Sequence, residues 1–441
     1  MSGVQPDPRE VRTLIEARLG RQPQDMIEAA VVLEAWAGVP AQSALEAGEA
    51  LMRTLPPQSR ASVGRLPKPG TQEGFLVEAM AFVMTVIAIA CWAVPLASSV
   101  GTEAIESAVT FALPLTLALQ WGLQSRYLGH PQGLAELGRR WPVLVLGGCG
   151  LVAIPTALLG ISGTVAGLLT VTWTGGAILI RRRWAAGYAM TIVLATAAMI
   201  AGLPAVAVLG ATAGATTLAV AVAVAISSGS SPAGHAPRRW GRALHASVIG
   251  TGLGLMLVVD DSVSWSEGMV PALALVPSTV ASLWGGYHLR RLDQVILRAV
   301  SGVAVSDTHP RGLAWQPLRV LLGAIGRVVC LTAALSAALV LLVPSSSSTA
   351  HSTGILTGFG LLALAMLLVS LLESAGQGRW TLVAVGYGVA VAELMRMDGT
   401  VPFPGAGLVV AAALAVLVSL PAAIALLSRP ASTLATALWI T

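Results

Sequence analysis

The sequence predicts an all-α polytopic membrane protein with about 12 transmembrane helices in two six-helix lobes, preceded by a small helical module. Three observations support this prediction: an apolar composition, apolar runs long enough to cross a bilayer, and arginines that alternate between loops. Of the 441 residues, 55% are hydrophobic and only 11% are charged, and the mean hydropathy is +0.78. A soluble domain has about 25% charged residues. The long uncharged runs must therefore lie in lipid as helices, which satisfy their own backbone hydrogen bonds.

The first 54 residues are more polar and predict a cytoplasmic module of three short helices (residues 1–54). Asp7 followed by Pro8 is typical of a helix start, and Gly20 of a helix end. Because three short helices bury little apolar surface, we expect the module to lean on another surface. Residues 55–73 are rich in proline, glycine and polar side chains and predict a linker. We expect no cleavable signal peptide, since the first apolar run begins only near Phe75.

The apolar runs after the linker give the predicted spans. They are 75–98, 106–124, 141–160, 161–180, 184–202, 204–227, 243–260, 268–288, 318–343, 354–375, 379–397 and 403–427. Within the 141–180 and 184–227 pairs, the spans are so close together that very tight turns must join them.

The distribution of charge tests the order of these spans. With the N-terminal segment in the cytoplasm, all but two of the 26 Lys and Arg residues fall in or at the edges of segments predicted to face inwards. The outer loops are acidic or neutral, and the acidic residues are Glu103, Glu106, Asp260, Asp261 and Glu267. Asp260 and Asp261 close the seventh span, and we expect both to lie in a solvated loop. A wrong number of spans would scramble this alternation, so both termini are predicted to be cytoplasmic.

An internal repeat divides the spans into two lobes. The second span contains PLTLALQWG from Pro114, and the eighth contains PSTVASLWG from Pro277, with Pro, Thr, Ala, Trp and Gly at equal spacing. Chance matching of common residues is the alternative. Six spans per lobe is an even number, so the lobes have the same orientation and are related by an axis along the membrane normal. The predicted segments are a first lobe at 74–227, a cytoplasmic loop at 228–242, a second lobe at 243–428 and a cytoplasmic tail at 429–441.

Several classes of protein are excluded by the residues present. Lys68 is the single lysine, whereas a phosphate-binding P-loop needs a lysine after its glycine-rich turn, so we expect no ATP hydrolysis. The arginines are scattered over short loops rather than gathered on one face, which argues against nucleic acid. We find no metal-binding spacing and no cofactor motif. Cys91, Cys149 and Cys330 lie in apolar runs, and we expect each to be a buried small side chain.

This arrangement resembles the multidrug/oligosaccharidyl-lipid/polysaccharide (MOP) flippase superfamily: twelve spans, two six-helix lobes, inside termini and almost no outer domain. Within it, ALALVPSTVASLWGGYHLRRLDQVILRAV (272–300) is similar to the eighth span of the membrane subunit of Pel-type exopolysaccharide exporters. PGAGLVVAAALAVLV (404–418) is similar to the glycine-led last span of the superfamily. The N-terminal module departs from the family pattern.

The resemblance implies a flippase-like fold in a bacterial cytoplasmic membrane. It also implies secondary transport of a polysaccharide or lipid-linked oligosaccharide outwards by alternating access, with no enzymatic step and no cofactor. It carries over no individual functional residue.

Ionisable residues inside the spans are the first candidates for a substrate or ion pathway. A charge at the bilayer centre costs about 2.5–3.5 kcal/mol on insertion scales, so it is retained for a reason. Arg327 lies well inside the ninth span and suits an anionic group such as a phosphate or a uronic acid carboxylate. The alternative is that it snorkels to the cytoplasmic headgroups.

The other pathway candidates are acidic, titratable or aromatic side chains: Glu78, Glu373, Glu393, His245, Trp121 and Trp284. The glutamates are candidate proton or cation sites, or solvated interfacial charges, and Glu393 has Arg396 or Arg327 as a possible partner. His245 suits proton coupling, with helix packing as the alternative. The tryptophans suit stacking on sugar rings, with interfacial anchoring as the alternative. Gly250 and Gly254 have the GxxxG spacing that predicts close helix packing.

Two other functional classes compete with transport. A membrane scaffold would use residues 1–54 to recruit a cytoplasmic glycosyltransferase or regulator, and this role is compatible with transport. A membrane glycosyltransferase would need acidic residues on a sizeable outer loop, whereas the predicted outer loops are short.

Overall fold

The computed structural model is helical throughout the residues that it describes, with no strand among them. These are residues 13, 15–16, 23, 26–37, 39–54, 83–84, 89, 92–128, 131–181, 184–228, 240–260, 274–281, 284–285, 310–342, 349–399, 403 and 405–428. The helices are α1 (Met26–Ala37), α2 (Ala41–Thr54), α3 (Thr102–Leu123), α4 (Pro131–Leu159), α5 (Ile161–Arg181), α6 (Ala185–Ile200), α7 (Ala205–Ser228), α8 (Trp240–Val258), α9 (Pro310–Leu342), α10 (Thr349–Ser374), α11 (Gly378–Met397) and α12 (Ala406–Leu427). A π-helix, Gln124–Leu128, continues α3.

The prediction of an all-α, multi-pass membrane protein is confirmed. Among the described residues, nine helices are long and apolar enough to cross a membrane by length and composition, and α6 is a shorter apolar helix. The predicted spans 75–98 and 268–288 are described only in part, and the described residues, such as 92–98 and 274–281, are helical.

Glycines with positive φ make the two tight turns that the sequence predicts. Gly160 (φ 60°) is the single residue between α4 and α5, and Gly202 (φ 86°) lies in the turn between α6 and α7. Left-handed backbone is accessible to glycine without a steric penalty, so these residues let consecutive spans reverse direction at once.

Several helices begin earlier than their predicted spans, and the difference is largest for α4 and α9. Helix α4 starts at Pro131 instead of 141, and α9 starts at Pro310 instead of 318. Proline is favoured at the first helical position, where its missing N–H is not needed, and a helix can continue beyond the lipid. The extension of α4 places Glu136, Arg139 and Arg140 on a helix instead of in a loop.

The helices pack in the same pairs in the two halves of the membrane part. In the first half (residues 92–228), α4 packs on α5, α5 on α7, and α6 on α7; in the second half (residues 240–428), α9 packs on α10, α10 on α12, and α11 on α12. Each half has its own cluster of buried hydrophobic side chains. The members of one cluster come from residues 92–224 and those of the other from residues 249–415. This is the pairing that the sequence repeat predicts. The lobe boundaries at 227 and 243 stay predictions.

The halves meet where α3 packs antiparallel against α8, an interface that we call the α3–α8 seam. Gly250 and Gly254 of α8 lie so close to the backbone of α3 that a Cβ on either would overlap it, at Leu117 and Pro114 respectively. Gly122 of α3 lies against the side chain of Ser247 of α8, and a Cβ on Gly122 would overlap the Ser247 hydroxyl. The close packing predicted from the GxxxG spacing is confirmed.

The N-terminal module packs against the second half. Its own small core includes Leu33 and Leu45, while Met26 belongs to a buried cluster with Leu321 of α9 and Leu427 of α12. Helix α2 also contacts α9. The expectation that the module leans on another surface is confirmed. The predicted linker 55–73 and tail 429–441 lie outside the described residues.

Candidate functional site

Charged side chains from both halves converge on the first turns of α8. We call this the inner end of the helices, because the arginine pattern predicts that it faces the cytoplasm, and the opposite end is the outer end. Two groups of residues meet here, one around Arg126 and one around His245.

The first group is built on the π-helix. The side chain of Arg126 is only 3% exposed, and its Nη2 donates a 2.8 Å hydrogen bond to Oε1 of Glu136 on α4. Nη2 of Arg140, one turn further along α4, lies 3.1 Å from the same oxygen. One carboxylate therefore serves two guanidinium groups. Short π-helical turns are frequent at functional sites, and here the turn carries the buried arginine.

Trp240 connects this group to the second half. The guanidinium carbon of Arg126 lies 5.0 Å from the ring centroid of Tyr127 and 5.3 Å from that of Trp240, and that of Arg140 lies 5.8 Å from Trp240. These distances are within the range of cation–π attraction. Because Trp240 is the first residue of α8, the contacts join the two halves at the inner end of the seam.

Sequence reasoning missed this group. It placed Arg126, Arg139 and Arg140 among the loop arginines and did not consider Glu136. The available signal was the spacing of Glu136 and Arg140, which lie four residues apart as in a helical ion pair.

The second group brings together two of the predicted candidates. Glu373, partly buried near the end of α10, interacts electrostatically with His245 and Arg242 of α8. The ring of His245 lies against Gly378 at the start of α11, where a Cβ would overlap Nε2. That nitrogen is buried, and within the described part of the chain it has no hydrogen-bond partner. The group joins three helix ends of the second half, and its role in an ion pathway stays a prediction.

The remaining candidates lie apart from these groups. Glu393 pairs with Arg396, 2.6 Å away near the end of α11, and both side chains are exposed. Trp121 of α3 is partly buried against the core of the second half. Trp284 is exposed. Glu78 lies outside the described residues.

Arg327 lies on an exposed face of α9. Its Nη1 is 3.8 Å from the position that a Cβ would take on Gly323, so the side chain lies back over the preceding turn, towards the inner end. This is the direction in which a membrane arginine snorkels. A place in a substrate pathway stays a prediction.

If the protein exports a polysaccharide, as the family resemblance implies, Arg327→Lys should keep full export and Arg327→Ala should reduce it, because a lysine also reaches the headgroups while alanine does not. The measurement is extracellular polysaccharide in strains with matched amounts of each variant. A guanidinium that binds an anion through two parallel hydrogen bonds would give the other result, with loss of export in both variants.

Asp260 corrects a prediction. We expected a solvated outer loop, but Asp260 is only 6% exposed. Its Oδ2 accepts hydrogen bonds from the backbone N–H groups of Gly407 (2.8 Å) and Leu408 (3.4 Å) in the first turn of α12. Unpaired N–H groups and the helix dipole attract a carboxylate to this position. These hydrogen bonds connect the outer end of α8 to the first turn of α12. Asp261 lies outside the described residues.

The cysteine prediction is also wrong where the structure describes these residues. Cys149 on α4 and Cys330 on α9 are exposed instead of buried. The reason is that apolar side chains in a membrane span also face lipid, so an apolar run does not distinguish core positions from lipid-facing ones. Cys91 lies outside the described residues. Among those that are described, no group of three His, Cys, Asp or Glu side chains is placed to hold a metal ion.

Together, these features define a helical, multi-pass membrane protein in which charged residues from both halves meet at the inner end of the α3–α8 seam. No protein-family model matches the chain, and no curated protein matches it. Among solved structures, the chain is similar to a MOP superfamily transporter from Pyrococcus furiosus, at 13% identity over 84% of this chain and 96% of that chain, with a TM-score of 0.38.

Proposed function

We propose that the protein is a secondary transporter of the MOP flippase type. It would move a polysaccharide or lipid-linked oligosaccharide out across a bacterial cytoplasmic membrane by alternating access, with both termini in the cytoplasm. The observation that carries the proposal is the pair of helical halves with matching helix pairs that meet along the α3–α8 seam. Two halves of this kind can rock against each other and open a central site to one side at a time.

The inner end of the seam has the properties that a gate needs. Cation–π contacts are worth about 0.5–2 kcal/mol each, so the contacts of Trp240 with Arg126 and Arg140 hold the halves together yet break at modest cost. Glu136, Arg126 and Arg140 all belong to the first half. When the second half moves away and takes Trp240 with it, the ion pairs of Glu136 with the two arginines therefore stay intact. The gate therefore opens without separating an ion pair.

A disulfide across the seam tests the proposal. A Cβ on Gly122 would lie 3.6 Å from Cβ of Ser247, which is within the usual range for a disulfide. The variant is Gly122→Cys/Ser247→Cys, with the three native cysteines replaced by alanine. We expect oxidation to reduce extracellular polysaccharide to the level of a strain that lacks the protein, and a reductant to restore it. The reason is that the oxidised halves can no longer part at their inner end.

A second disulfide provides the control. A Cβ on Gly175 of α5 would lie 3.7 Å from Cβ of Thr216 of α7, and both helices belong to the first half. Oxidised Gly175→Cys/Thr216→Cys should export normally, because the cross-link stays within one rocking unit. Full export by the oxidised seam variant would contradict alternating access at this seam.

A scaffold role for residues 1–54 is a second candidate that is compatible with transport. The exposed side chains described on α2 include the polar Ser43, Glu46 and Arg53, while Ala44, Leu45 and Leu51 are buried. A cytoplasmic glycosyltransferase or regulator bound to this polar face would lie beneath the inner ends of α9 and α12.

A further inference from the structure

The two sequence segments that lead into the inner ends of α4 and α8 are rich in positive charge. The sequence segments 124–141 and 229–245 contain one acidic residue, Glu136, against six arginines: Arg126, Arg139, Arg140, Arg238, Arg239 and Arg242. Arg242 also interacts with Glu373. Glu136 already contacts both Arg126 and Arg140, and the buried Nε of Arg126 has no hydrogen-bond partner among the residues that the structure describes. An external anion would balance this charge.

The side chain of Arg140 is accessible to a ligand, and its guanidinium is also held in a fixed position by its neighbours. Its side chain is 40% exposed, whereas its guanidinium is fixed between Glu136 and the ring of Trp240. Trp240 is itself 53% exposed, and the neighbouring Arg139 is exposed as well. A guanidinium that is already oriented loses less conformational entropy when it binds an anion.

The exposed surface next to Arg140 and Trp240 is apolar. Leu244 and Val248 follow Trp240 at intervals of four residues, so all three share one face of α8, and Val143 of α4 is exposed beside Arg139 and Arg140. The apolar spans of both helices start at this level, at Glu136 and at Trp240. Arginine and tryptophan at the start of a span are typical of the headgroup region. A soluble anion would gain nothing from the apolar strip, whereas a lipid has both a phosphate and acyl chains.

We propose that the inner ends of α4 and α8 bind an anionic phospholipid of the cytoplasmic leaflet. Arg140, with Arg139 beside it, binds the headgroup phosphate, and the acyl chains lie along Leu244, Val248 and Val143. Basic pockets between membrane helices bind lipid phosphates in this way. This site does not depend on the transport proposal, because lipid binding is measured without any transport.

The test measures binding of phosphatidylglycerol and phosphatidylcholine to the full-length protein in detergent by native mass spectrometry. We expect the protein to prefer phosphatidylglycerol and Arg140→Gln to weaken that binding by about tenfold, the usual effect of losing a charged hydrogen bond. Arg140→Lys should keep most of the binding, since an ammonium also attracts a phosphate. Arg396→Gln makes the same change of charge at the opposite end of the helices and should have no effect.

Two results would overturn the proposal. One is equal affinity for phosphatidylglycerol in Arg140→Gln and Arg396→Gln. The other is displacement of phosphatidylglycerol by inorganic pyrophosphate, which would assign the arginines to a soluble anion. If a polyprenyl phosphate displaces phosphatidylglycerol and also depends on Arg140, the occupant is a carrier lipid and the assignment to a bulk phospholipid is wrong.

Discussion

Glu136→Gln is expected to destabilise the protein by about 3–5 kcal/mol, because it leaves the buried guanidinium of Arg126 without a counter-charge. Glutamine keeps an oxygen that accepts the hydrogen bond from Arg126. The loss of stability therefore measures the missing negative charge and not a missing hydrogen bond. Arg140 contributes little to the loss, since its side chain is 40% exposed and water solvates it. The measurement is the midpoint of thermal unfolding of the purified protein in detergent.

Glu393→Gln is the matched control. It makes the same chemical change in an ion pair whose two side chains are exposed, where the pair is worth about 1 kcal/mol or less. The double variant Glu136→Gln/Arg126→Met should recover much of the stability, because replacing both partners leaves no buried charge. If Glu136→Gln and Glu393→Gln lower the midpoint equally, Arg126 is not buried beside Glu136 as described.

The features that the sequence predicted correctly depend on periodic or local signals. Long apolar runs located the spans that the structure describes, because lipid imposes a length on every segment. The orientation that the arginines predict stays a prediction. The GxxxG spacing of Gly250 and Gly254 predicted a close approach, because it is a property of one helix surface. Its partner helix, α3, was not predictable from that spacing alone.

The features that the sequence missed depend on contacts between distant segments. Asp260 binds the first turn of α12, 147 residues further along the chain, and no local pattern indicates that a loop aspartate is a cap. The contacts of Arg126 depend on the π-helix and on the early start of α4. Neither feature changes the hydropathy of the sequence, so hydropathy did not reveal them. Hydropathy also fails to separate core from lipid-facing positions, which is why Cys149 and Cys330 were misplaced.

The position of His245 and Glu373 beside the Arg126 group suggests how an ion would act on the gate. Trp240, Arg242 and His245 lie within two turns of α8, so a movement of α8 at its inner end affects both groups. The coupling of His245 to the Trp240 contacts would run through a single rigid helix, which needs no intervening pathway.

The double variant Gly250→Ala/Gly254→Ala is expected to separate α3 from α8 and to lower stability by about 1–3 kcal/mol per site. A Cβ on Gly250 would lie 2.7 Å from the carbonyl carbon of Leu117, and one on Gly254 would lie 2.8 Å from the nitrogen of Pro114. These are backbone atoms within a helix, so they cannot rotate away as the end of a side chain can. The two helices must move apart, and the contacts between the halves are lost along the seam.

Gly210→Ala/Gly214→Ala provides a control with the same chemical change at the same spacing. Both glycines lie on α7, and a Cβ on either would meet nothing within 4 Å. Alanine is favoured over glycine in a helix by about 1 kcal/mol, so this variant should be as stable as the parent or more stable. The measurements are the thermal midpoint in detergent and extracellular polysaccharide in cells. Equal midpoints for the two double variants would mean that α3 and α8 are further apart than described, and the gate at Trp240 would then lose its structural basis.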